Sequence, residues 1–310
     1  MSFVEFTDCP QVVPPYFFPG VTLKMFWLGA ERESLQDWCD AALNINPDHQ
    51  FEALMPFVLL TVIDYPRMIL EDFPNLGYST QTEYAAMFPV VRFDNILGLM
   101  VPVDVTWAVP FIGVDLINSA LAGQMVLGFL KSSGEFIMPP TADGSYRATV
   151  RMPGMIRTQP LPQDDRQELV TILEIETGTP SFPTSGPSFP SQLLAGFAPD
   201  DFGVLKLLEL LDDDLYSLTN LKQIRDPADP PNPVYQALVR AEWHQTKISN
   251  FSVFDGAQVQ VIDNENVRIA EVLGLTGGVG PGGNVFKTVF AASVQCDLRL
   301  GNATTIVQTA

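Results

Sequence analysis

The stretch Ala122 to Phe136, AGQMVLGFLKSSGEF, decides how this chain is read. It closes a run that carries no charge between Asp115 and Lys131. Six lysines occur in the 310 residues, and Lys131 stands out for the apolar run behind it. Desolvation disfavours the charged form of an amine among apolar neighbours. A neutral amine can attack a ketone, and the iminium that results draws electrons from the adjacent carbon. The plainer reading is a lysine that ends an apolar strand and snorkels to water. Just upstream, Leu116 to Leu127 shows no alternation and no breaker except Gly123, which predicts a short buried helix leading to the lysine.

Working outward, residues 1–20 hold prolines around aromatics and read as an extended arm, followed by a β-rich Val21 to Leu28. Glu31 to Leu43 carries Leu35, Trp38, Cys39 and Leu43 at helical spacing. Phe51 to Ile63 reads as one buried strand. Glu83 to Phe93 and Ile96 to Val109 read as two more, separated by a turn at Asp94-Asn95. Tyr146 to Met152 alternates as it leaves the Asp143-Gly144 turn. Glu174 to Pro190 shifts to Pro, Ser, Thr and Gly, the composition of a loop. Asp200-Asp201 then offers an N-cap for a leucine-rich helix through about Leu218. A loop at Asp226 to Pro233 precedes β-type runs at Val234 to Trp243, Thr246 to Phe254 and Gln258 to Ile262. Asn266 to Leu273 reads as a helix and Val285 to Leu300 as a closing strand. Between them lies GLTGGVGPGGN, which leads into a strand rather than a helix. It therefore predicts a strand connection and not a phosphate cradle.

Composition narrows the function. A net charge of −19 argues against nucleic acid, whose phosphates need clustered Lys and Arg, and against an anionic membrane surface. The run Ile96 to Leu130 is broken by Asp104, Pro110 and Asp115, so it predicts core and not a membrane span. Cys9, Cys39 and Cys296 form no C-x-x-C pair, which points to a reducing, cytoplasmic setting. His49 and His244 alone argue against a histidine-built metal site or a serine triad. The acidic run Asp212-Asp213-Asp214 lacks EF-hand spacing. No cofactor, no metal and no nucleic-acid partner is expected.

Ala122-Gly123, a gap of four, then Gly128-Phe129-Leu130-Lys131 resembles the acetoacetate decarboxylase motif Gly-Arg-Glu-x-x-[Gly/Ala]-[Phe/Tyr]-Pro-Lys-Lys. Tyr78 to Val90, YSTQTEYAAMFPV, is similar to the strand on which that family carries its pocket glutamate. Val234 to Ile262 looks like the family's final pair of long strands. The resemblance runs along most of the chain in order. It implies an α+β, β-rich fold: a cone-shaped antiparallel barrel with peripheral helices, in one domain over 1–310 with an insertion at 174–218. It also implies a homo-oligomer and a small-molecule substrate, with Lys131 as the Schiff-base lysine and Glu83 as general acid/base.

The departures shape the substrate. Gln124-Met125 replaces the motif's Arg-Glu, Leu130 its proline and Ser132 its second lysine. The family's activation of the lysine by a cationic neighbour is thus missing, which leaves burial. A pocket arginine would fall near Leu28 or Gly29 and a second glutamate near Val58, and neither is present. Without that arginine a small β-keto acid lacks its cation. Phe57, Phe88, Trp107, Phe111, Met125 and Phe129 instead suggest a roomier apolar pocket for a larger keto compound. The amine of Lys131 is expected in an enclosed apolar cavity that the Glu83 carboxylate also faces. A structural Lys131–Glu83 ion pair is the competing expectation, and large single losses of stability rescued in the double variant would mark it and end the catalytic reading.

Overall fold

The computed structural model describes residues 13–156, 166–181 and 215–309. The first half of the chain gives β1 (Tyr16–Gly29), α1 (Arg32–Ala42), β2 (His49–Ala53), β3 (Phe57–Leu70), β4 (Ser79–Ile96) and β5 (Leu99–Val114). Next come α2 (Ile117–Ala122), a π-helical turn over Gly123–Leu127, β6 (Lys131–Ser133), β7 (Glu135–Ile137), β8 (Arg147–Ile156) and β9 (Arg166–Glu176). The last part holds β10 (Pro180–Ser181), β11 (Leu215–Arg225), β12 (Pro233–Phe254) and β13 (Gln258–Val261). It ends with α3 (Ile269–Val272), β14 (Val285–Lys287), β15 (Phe290–Leu300) and β16 (Thr304–Gln308).

Most of these strands form one sheet in the order β2-β4-β3-β1-β15-β12-β11-β5-β6, and β4 also pairs with β5. That second pairing closes β4, β3, β1, β15, β12, β11 and β5 into a ring. The α+β, β-rich class holds, with one amendment to an all-antiparallel barrel. The ring closes through a short parallel pairing, Leu218↔Trp107 and Thr219↔Ala108. Thr106 supports this seam, its hydroxyl donating to the Ser217 carbonyl at 2.8 Å and lying 3.0 Å from Thr219 Oγ1.

Side-chain parity sorts the core into two layers. In a strand, successive residues face opposite sides of the sheet. On β4, Ala85 and Met87 turn into the ring with Trp27, Phe57, Trp107 and Trp243. Tyr84, Ala86 and Phe88 turn outward, onto α1 and a second sheet of order β14-β13-β9-β8-β7. Each fully buried aromatic such as Phe26 or Phe88 contributes about 1.5–3 kcal/mol. Both cores are continuous, and the inner one makes the site.

Several sequence expectations are corrected here. Phe51 to Ile63 is two strands, because Pro56 interrupts the run. The β4–β5 turn lies at Leu97-Gly98 and not at Asp94-Asn95. Leu97 and Gly98 have φ of 55° and 87°, the left-handed pair that a two-residue hairpin needs. Val234 to Trp243 and Thr246 to Phe254 are one long strand, kinked where Lys247 and Asn250 adopt φ of 53° and 51°. Leu215 to Leu218 open strand β11 instead of ending a helix. The rest of that helix, and residues 182–214 of the insertion expected at 174–218, lie outside the described residues, while its end at Leu218 joins the ring through the Trp107 pairing. The glycine-rich loop joins α3 to β14, as a strand connection should. A Cβ on Gly278 would sit 1.9 Å from the Gly283 carbonyl oxygen, so glycine is required there. No helix among the described residues is long and apolar enough to cross a membrane.

Candidate active site

Lys131 begins β6, which pairs in parallel with β5 through Ile112↔Lys131. The chain reaches it through α2 and the π-helical turn, a distortion that is often found at functional sites. Gly128, at φ 74°, ends that turn, and Phe129 N–H donates back to the Gly123 carbonyl at 3.1 Å. Gln124 Nε2 donates to the Lys131 carbonyl at 2.6 Å and fixes the backbone there. The lysine side chain then runs inward past Gly123. A Cβ on Gly123 would stand 2.7 Å from Lys131 Cδ and 3.0 Å from Cε, so only glycine leaves it passage.

Glu83 comes from the opposite wall. It shares the inward parity of Ala85 and Met87 on β4 and is 3% exposed, against 7% for Lys131. Lys131 Nζ donates to Glu83 Oε2 at 2.5 Å. Tyr65, on β3, donates its hydroxyl to Glu83 Oε1 at 3.3 Å. Both carboxylate oxygens are thus engaged. Burial first, and the neighbouring Glu83 carboxylate second, push the Tyr65 phenol well above its ordinary range, so it stays a donor. The Phe129 ring lies 5.5 Å from Nζ, a cation–π contact.

Lys131 and Glu83 line one cavity, walled mostly by apolar side chains, and the correction concerns the state of the amine. The amine does not face an apolar void alone, because it is paired with the carboxylate inside the cavity. An ammonium buried in the ring has to find an anion or leave, and Glu83 is the anion within reach. The space around the pair is small, about 30 Å³. Its wall includes Tyr65, Gln81, Ser119, Gly123 and Phe129, and Gln81 Oε1 has no hydrogen-bond partner among the described residues. Tyr65→Phe is expected to cost about 1–3 kcal/mol in chemical denaturation, since it removes the donor from Glu83 Oε1.

A second cavity of about 220 Å³ adjoins the first inside the ring. Met87, Leu218 and Trp243 line both and form the wall between them. Of the expected pocket residues, Phe129 lines the lysine cavity and Trp107 the larger one. Phe57 packs on Trp107 with ring centroids 6.3 Å apart, inside the same core but behind the lining. The other three are corrected. Phe88 has the outward parity of β4 and meets Trp38 of α1 edge-on at 5.7 Å. Phe111 pairs with outward-facing Ala86 and joins the outer core. Met125, on the π-helical turn, is 53% exposed. Leu28 and Val58, near which the family's arginine and second glutamate were sought, are paired neighbours in the outer core.

Tyr65, Trp27 and Trp243 were not anticipated. Tyr65 continues the inward alternation of Phe57, Leu59, Thr61 and Ile63, but Asp64 and Pro66 made the strand look finished. Among the described residues, no group of three or more His, Cys, Asp or Glu side chains could hold a metal ion.

No family model and no curated protein matches the sequence. Solved structures do match. Acetoacetate decarboxylase from Legionella pneumophila superposes with a TM-score of 0.60 at 14% identity, covering 96% of this chain and 88% of that one. An acetoacetate decarboxylase-like enzyme from Sphingomonas wittichii gives 0.58 at 11%, covering 96% and 94%. The enduracididine biosynthesis enzyme MppR, solved with the condensation product of pyruvate and imidazole 4-carboxaldehyde, gives 0.54 at 12%, covering 96% and 90%. At such identities the likeness is one of fold, and it spans nearly the whole of each chain. The ring of strands, the inward lysine after its helical turn and the facing glutamate are thus carried on an acetoacetate decarboxylase fold.

Proposed function

We propose that the chain is a lysine-dependent enzyme that forms an iminium between Lys131 and a larger, mostly apolar keto compound. The observation behind this is the Lys131–Glu83 pair set in a small buried cavity beside a much larger apolar one. For the amine to attack, the Nζ proton must leave, and Glu83 Oε2 at 2.5 Å is placed to take it. Nitrogen then bonds to the carbonyl carbon as the C=O π pair moves onto oxygen, and a second amine proton passes from nitrogen to that oxygen. The first proton, returned by Glu83 to the resulting carbinolamine hydroxyl, lets it depart as water and leaves the iminium. The iminium draws electrons from the adjacent carbon, which serves decarboxylation and aldol, dehydration or cyclisation chemistry alike. Among the described residues, Lys131 is the one cationic side chain lining either cavity, and Glu83 already neutralises it. That favours a substrate whose tail is neutral.

Borohydride reduction in the presence of a ketone tests the reading. A stable adduct on the Lys131 peptide is expected, absent from Lys131→Met. An intact protein mass unchanged after reduction would overturn it. The pairing itself favours a second reading, a cyclase that uses the preorganised pocket without covalent chemistry. In that case Lys131→Ala would retain turnover, whereas a binding protein that has lost activity would show none at all. We also propose a cytoplasmic homo-oligomer. Light scattering is expected to give a particle heavier than the 34.1 kDa chain, and a 34.1 kDa particle would refute it.

A further inference from the structure

We propose that the 220 Å³ chamber seats the non-reacting part of the substrate, a neutral fused-ring aromatic unit, with Met87, Leu218 and Trp243 gating its reach to Lys131. This deepens the lysine reading and rests on it for what the keto carbon meets.

The chamber's surface is the first reason. Trp27, Trp107 and Trp243 give it flat walls, Met25 and Phe251 add polarisable and aromatic area, and no charged side chain lines it among the described residues. A charged tail would lose its water there and gain no partner. Size is the second. A dry, apolar cavity of about 150 Å³ holds one benzene ring, so 220 Å³ suits a bicyclic unit. Polarity is the third. The indole N–H groups of Trp107 and Trp243, at 3% and 8% exposure, have no hydrogen-bond partner among the described residues. An ether, phenol or carbonyl oxygen on the ring system would supply an acceptor that a saturated chain lacks.

Access supports the same assignment. Gln245, Ile248 and Phe251 line the chamber from β12, and Ile248 is 57% exposed, so the chamber opens at this stretch. Here the left-handed Lys247 and Asn250 break the β12–β15 ladder between Thr246 and Ser252. Lys247 Nζ and Asp297 Oδ2, 2.7 Å apart, hold the kinked stretch against β15. A ring unit entering beside Ile248 passes between tryptophans. Its keto carbon, on a short flexible spacer, must then clear Met87 and Leu218 to reach Nζ.

The probes are 4-(6-methoxy-2-naphthyl)-2-butanone, 2-undecanone, acetone and 2-methoxynaphthalene, which has the ring and no ketone. Quenching of tryptophan fluorescence by 2-methoxynaphthalene, saturating at micromolar concentration and weakened at least tenfold in Val294→Trp, is expected. In borohydride trapping, the naphthyl ketone should label Lys131 at least tenfold faster than 2-undecanone. Met87→Ala, which widens the gate, should speed labelling by the naphthyl ketone relative to acetone, and an unchanged ratio would overturn the gating role. No saturable quenching, or equal labelling by the naphthyl and linear ketones, overturns the assignment even if acetone labels Lys131. Quenching without labelling by any ketone leaves the chamber's ligand in place and overturns the covalent role of Lys131. Should Val294→Trp not fold, competition between 2-methoxynaphthalene and the naphthyl ketone on the wild-type protein decides: additive binding rejects a shared chamber.

Discussion

Lys131→Met is expected to lower the unfolding free energy by about 3–5 kcal/mol at neutral pH, as is Glu83→Gln, while the double variant recovers most of the loss. Each single change leaves one charged group in the ring without its counter-charge. Among the described residues no other charged side chain lines the cavity, and its volume of about 30 Å³ admits a water or two at most. Removing both charges takes away the desolvation cost together with the attraction. Urea titrations of the four proteins, analysed as a cycle, measure the coupling. Additive losses would mean that the two groups do not sense one another. Were the amine unpaired and kept neutral by burial, Lys131→Met would be at least as stable as the wild type. Such coupling was expected from the sequence to end the catalytic reading; with Glu83 Oε2 2.5 Å from Nζ and placed to take its proton, the cycle reports only the resting state of the amine, and borohydride reports whether it reacts.

Gly123→Ala is expected to slow labelling of Lys131 about 100-fold, with a smaller effect on stability. The new methyl would stand 2.7 Å from Lys131 Cδ, well inside van der Waals contact. The backbone at Gly123 is helical, with φ −57° and ψ −48°, so alanine fits the chain conformation and clashes only with the side chain. The lysine must therefore swing, and a shift of about an ångström at Nζ takes the nucleophile out of line with its carbonyl. Unchanged labelling rates in Gly123→Ala would show that the side chain does not have to follow this path.

Lys131 drew attention as a lone charge closing an apolar run, and it took the likeness to the acetoacetate decarboxylase motif to give it weight; Glu83 was reached only through the likeness of Tyr78 to Val90 to that family's glutamate strand. The aromatic wall was harder, since aromatic content says nothing about parity. Phe88 and Met87 are neighbours in sequence and face opposite layers. The β4 register, fixed by Glu83↔Ile63 across to β3, settles which one sees the cavity. Tyr65 was hidden by local turn signals that sheet pairing overrode. Leu215 to Leu218 looked helical because leucine favours helices, yet the long edge of β12 offers them a ladder from His244 to Ala241. Tertiary context settled both.

Antiparallel contact between β1 and β15, from Tyr16↔Leu300 to Trp27↔Phe290, joins the two ends of the described chain. Few contacts in a protein of this size span so much sequence, and such contacts slow folding. A nascent chain emerging from the ribosome therefore has no ring until β15 has been made. Until then the inward faces of β1, β3 and β4 have no cavity to enclose, and their apolar side chains and unpaired edges are exposed to aggregation. Truncation before Phe290 would not trim an edge. It would remove the strand between β1 and β12, and the lysine would open to bulk water.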